Sequence, residues 1–130
     1  LRLERHGLLE RRLRGRRVRA HVAEMRSRDL PIETVVAVLA EVVRGRLADA
    51  GVFAGLRRER VEVHPVDSRV GVRAGQLLGT VGAGSEMAID AFLVADADLR
   101  GGAVIATCDA DDLRRLAAVA ERVQIVDLDR

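Results

Sequence analysis

The run Ala103-Val104-Ile105-Ala106 constrains the fold most, because four apolar residues stand in a row behind Gly101-Gly102 and give way at once to a polar stretch. A run this short and this continuous reads as a strand buried on both faces, the kind found in parallel sheets covered by helices. The pattern then repeats: helix spacing over 109–120 is followed by a last strand over 123–128. Such alternation of strand and helix predicts an α/β protein, a three-layer α/β/α sandwich around a mostly parallel sheet.

Upstream segments fit the same alternation. Leu3, Leu9 and Leu13, then Val18, Val22 and Met25 after Gly15, predict two short Arg-coated helices or one interrupted helix. Pro31-Ile32 suggests a short strand. Thr34 is placed to cap the run 35–43, whose apolar residues cover too many faces for a surface helix; a buried helix with Glu41 as its polar intrusion is expected, and β-branching makes a strand the competing reading. A short helix is expected over 48–58. Val61, Val63 and Val66 suggest a strand, and Asp67-Ser68 an N-cap for a helix bearing Val70, Ala74, Leu77 and Leu78. A loop over 79–85 and a helix over 87–99 follow.

A chain of 130 residues reads as one domain, and 48% hydrophobic residues suffice for a core. Two Phe are the only aromatics, so stacking platforms of Tyr or Trp are unavailable, which argues against the aromatic modes of single-strand binding. All 22 basic residues are Arg, whose forks bind phosphate in bidentate fashion. Residues 1–28 hold ten Arg against three Glu, whereas residues 83–130 hold five Arg against ten acids. A basic flank beside an acidic pocket suits a polyanion held by its backbone, although a solvated Arg-rich helix face would look the same. Cys108 is the single cysteine, which rules out an intramolecular disulfide, and no Cys/His spacing of the zinc type occurs. His6, His21 and His64 read as surface or packing residues. No apolar run approaches the roughly 20 residues of a membrane helix, and a cytoplasmic protein is expected.

Chemistry points to the acids. Asp109 falls just past the strand at 103–106, where functional side chains of parallel sheets collect, and Asp112 lies one helical turn further on. Asp90 opens the preceding helix, and Glu41 lies far upstream. Carboxylates gathered in one pocket raise one another's pKa and call for a cation; magnesium or manganese is the candidate. Singly, each acid has another reading: Asp109 as a helix cap, Asp112 as a dipole partner, Glu41 as an ion pair with Arg44. Asp96 and Asp98 read as solvated helix-face residues. The loop Gly79-Thr80-Val81-Gly82-Ala83-Gly84 follows a helix and has the wrong glycine spacing for a dinucleotide-binding fingerprint; it is expected to close over the acidic pocket. Carboxylates beside Cys108 disfavour its thiolate and a nucleophilic role.

Taken in order, Val38-Leu39-Ala40-Glu41-Val42-Val43-Arg44-Gly45, Ile89-Asp90-Ala91, Thr107-Cys108-Asp109-Ala110-Asp111-Asp112-Leu113 and the strand Val123-Gln124-Ile125-Val126 resemble the PIN-domain family, nearest to its VapC-type toxins. Arg73-Ala74-Gly75-Gln76-Leu77-Leu78 echoes the family's middle helix. The resemblance implies a metal-dependent endoribonuclease hydrolysing RNA phosphodiester bonds as the toxin of a toxin-antitoxin pair. It also implies a homodimer silenced by a cognate antitoxin. Matching motifs make Glu41, Asp90 and Asp109 the acids that hold Mg2+ or Mn2+, with Asp112 assisting. The family's first acid ends an N-terminal apolar strand that is not found before Leu1, so residues 1–130 are expected to form a single PIN-like domain lacking that strand. The rival expectation is a catalytically silent PIN-like module that binds RNA or a protein.

Overall fold

The computed structural model describes residues 16–128 and the backbone of residues 2–3. In chain order the elements are β1 (Arg2–Leu3), α1 (Arg16–Ser27), β2 (Glu33–Val35), α2 (Val36–Val42), α3 (Asp49–Arg58), β3 (Glu62–His64), α4 (Ser68–Val81), a 3-10 turn (Ser85–Met87), α5 (Ala88–Leu99), β4 (Ala103–Thr107), α6 (Asp111–Ala117) and β5 (Val123–Asp127). The strands form one sheet in the order β3-β2-β1-β4-β5, and every pairing is parallel. Arg2 stands opposite both Glu33 and Ile105, so β1 fills the centre of the sheet. The sequence reading leaves that position to a strand before Leu1; Arg2–Leu3 takes it instead. The helix expected from Leu9 and Leu13 lies outside the described residues.

Hydrophobic spacing explains most of the helices. On α1, Val18 and Val22 are one turn apart and face the core while Arg16 and Arg19 face solvent. The run 35–43 is split: Thr34 and Val35 are fully buried in β2, and the helix starts at Val36 without a side-chain cap. Thr34 is thus a strand residue rather than the expected cap. At α4 the expected cap is present, with Asp67 Oδ1 accepting the Val70 N–H at 3.0 Å. That helix runs through Val81 and ends at Gly82 in the left-handed conformation, φ 69°, so half of the expected 79–85 loop is helix. Gly102 is required for space as well as for its φ of 110°, because a Cβ there would meet the Arg122 carbonyl oxygen at 2.5 Å.

The core centres on α5, which packs along α4 and against α6 and the sheet. Ala91, Leu93, Val94, Ala95 and Ala97 are fully buried, so this helix is enclosed on nearly every side. β4 and β5 are in continuous register from Ala103↔Val123 to Thr107↔Asp127.

Candidate functional site

The strand order sets where a site can form. The chain winds outward from β1 through β2 to β3, then returns to the other side of β1 as β4 and continues to β5. Its direction of winding reverses between β1 and β4, and at such a reversal the loops beyond the carboxyl ends part to leave a crevice. β4 delivers Thr107, Cys108 and Asp109 to that edge. Thr107, almost fully buried, donates its Oγ1–H to the Asp109 carbonyl at 3.0 Å and accepts the Asp109 N–H at 2.9 Å. This reciprocal pair fixes the turn that leaves Asp109 exposed. The N-cap position of α6 is held by Ala110, one residue beyond Asp109.

The other expected acids lie on separate elements. Asp90 is in the first turn of α5 and only 2% exposed. Glu41 is half-buried on α2, and Arg44 donates from its guanidinium to the carbonyls of Ala40 and Val43, at 2.7 and 2.8 Å. Asp112 sits in the first turn of α6, 3.8 Å from Arg115. Among the described residues, no three of these four acids bring oxygens within 4.8 Å of one another.

One group does converge. Glu33 and Glu62 stand opposite each other across β2 and β3, and His64 follows two residues on, on the same face of β3. Their ligand atoms all lie within 4.8 Å, a set that could hold a metal ion. His64 Nε2 is 3.2 Å from Glu33 Oε1 and 3.5 Å from Glu62 Oε2, while Nδ1 is 2.9 Å from Asp96 Oδ2. Asp96 accepts from Arg100 Nε through its other oxygen at 3.0 Å. That hydrogen bond, helped by the Asp96 charge, raises the Arg100 pKa above its ordinary value and outweighs the opposing desolvation. Asp96 is therefore a buried hub rather than the expected solvated residue, and Asp98 pairs with Arg73 at 2.9 Å. The signal was present in the sequence: a helix apolar on nearly every face has no solvated side for an Asp at position 96.

No family model matches the sequence, and no curated protein does. A solved chain does match in fold. It belongs to the crystal structure of VapBC2 from Rickettsia felis bound to a DNA fragment from their promoter; it superposes with a TM-score of 0.67 at 12% identity, covering 98% of this chain and 100% of that one. The mixed α/β fold with short parallel strands is thus shared with a component of a toxin-antitoxin assembly. Among the described residues no helix is long and apolar enough to cross a membrane.

Proposed function

We propose that the chain is a PIN-like, VapC-type endoribonuclease with a three-layer α/β/α architecture, acting as the toxin of a toxin-antitoxin pair. The observation that carries this reading is Asp109 just past the carboxyl end of β4, beside the reversal of strand order, in a fold shared with a component of a VapBC complex. The donor set of Glu41, Asp90 and Asp109, with Asp112 assisting, consists of hard oxygens and fits Mg2+ or Mn2+. A carboxylate as buried as Asp90 incurs a desolvation cost that a nearby dication lowers. When bound, such an ion activates water and stabilises charge on a phosphoryl oxygen. The chain's own part is to hold the ion through these acids, to orient the phosphodiester, and to bind the RNA backbone through exposed Arg such as Arg16 and Arg19 on α1. A cognate antitoxin, a homodimer and a cytoplasmic setting complete the proposal.

A catalytically silent PIN-like module that binds RNA or a protein is the second reading, favoured because, among the described residues, no three of the four acids bring oxygens within 4.8 Å of one another. Incubating the protein with structured RNAs in Mg2+, in Mn2+ and in chelator separates the two. Cleavage that needs the cation supports the nuclease; equal cleavage in chelator removes the metal mechanism. RNA binding without cleavage under every condition supports the silent module.

A further inference from the structure

We propose that Glu33, Glu62 and His64 form a second metal site, built for a transition-metal dication such as Zn2+ and separate from the acids past the carboxyl ends of the strands. Parallel pairing puts Glu33 and Glu62 directly opposite on one face, where a cation between them would offset the repulsion of like charges. Both approach the same nitrogen, His64 Nε2, at 3.2 and 3.5 Å. Two donors each about 2.1 Å from a tetrahedral zinc ion are about 3.4 Å apart, so both separations suit a shared ion. A single proton on Nε2 makes one good hydrogen bond, not two.

The other side of the imidazole is arranged for the same purpose. Asp96, 1% exposed, places one oxygen 2.9 Å from Nδ1, and Arg100 holds the far oxygen of that carboxylate. A carboxylate that receives Nδ1–H fixes the tautomer, leaves the Nε2 lone pair for a metal, and increases its basicity. One imidazole with two carboxylates suits zinc better than magnesium, which prefers oxygen ligands alone. The Glu62 side chain is 63% exposed, so the open coordination position faces solvent and ions can enter. An ion bound here would clamp the edge strand β3 to β2 and, through His64 and Asp96, to α5.

Cobalt(II), whose visible bands report ligand number and type, is the probe. Titrated into the full chain carrying Asp90→Asn, to remove the other proposed site, Co2+ should give bands of a four- or five-coordinate ion that Zn2+ displaces. Glu62→Gln, at an exposed position that leaves the core intact, should weaken Co2+ binding by about tenfold or more, and Glu33→Gln likewise. Absence of such bands, or bands unchanged in both Gln variants of a folded protein, would overturn the proposal. Neither result depends on whether the protein cleaves RNA.

Discussion

His64 Nδ1 lies 2.9 Å from Asp96 Oδ2, which joins the edge strand β3 to a helix buried at the centre of the molecule. The carboxylate is 1% exposed and the imidazole 9%, so neither is well served by water. Asp96 is shared further with Arg100, and one side chain thereby orients two others.

Removing this hub should be costly. Asp96→Ala is expected to destabilise the protein by about 3 kcal/mol, because it leaves a buried imidazole without its acceptor and opens space beside it. Urea denaturation followed by circular dichroism measures the change; a loss under about 1 kcal/mol would show that the pair contributes little.

Asp90→Asn and Asp109→Asn should each abolish metal-dependent RNA cleavage with the fold preserved, since size is kept and ligand charge removed. Glu41→Gln should behave in the same way, and Asp112→Asn should reduce rate without abolishing it. A variant with full activity and normal manganese affinity loses its place in the site.

Arg16→Gln combined with Arg19→Gln should weaken RNA binding and flatten its dependence on salt by about one log unit per lost phosphate contact. Arg17 is kept, because its guanidinium donates to the Leu128 carbonyl at 3.2 Å and supports the fold. A salt slope equal to that of the parent would return α1 to a solvated basic face.

Asp49 supplies a pH dependence. Desolvation is the largest single influence and raises its pKa, but the backbone N–H groups of Arg44, Arg46 and Gly45 and the Arg46 charge together outweigh it, and the value falls below 3.8. A carboxylate with a depressed folded-state pKa adds stability that is fully present above its unfolded value and is lost as pH falls through the folded value. Relative to Asp49→Asn, the parent should therefore be more stable at neutral pH, with the difference shrinking in acid below the 3.8 reference. Urea midpoints of both proteins across that range check it; a constant difference would mean that the carboxylate's charge is immaterial to the turn.

The core offers a test of a different kind. Leu93 is fully buried on α5, and Leu93→Ala should cost about 2–5 kcal/mol depending on how far the neighbours collapse.

Sequence alone determined what depends on neighbours in the chain. The apolar run at 103–106, the Asp67 cap of α4 and the helical spacing of 18 and 22 are local, and each forms where periodicity and turn chemistry place it. The position of Asp109 past a strand end is local in the same sense. Assignments failed where partners come from afar. Thr34 looks like a cap in sequence, but tertiary pairing with Val63 draws it into the sheet. Asp96 has local signals of burial in the apolar faces of its helix and in Arg100 one turn on, but its partner His64 meets it only once β3 lies against α5. Glu33 and Glu62 are 29 positions apart and neither carries a motif, yet parallel register sets them face to face. Such groups gain their chemistry from proximity across the sheet, which is decided by the packing of the whole chain and has no short-range signature to read.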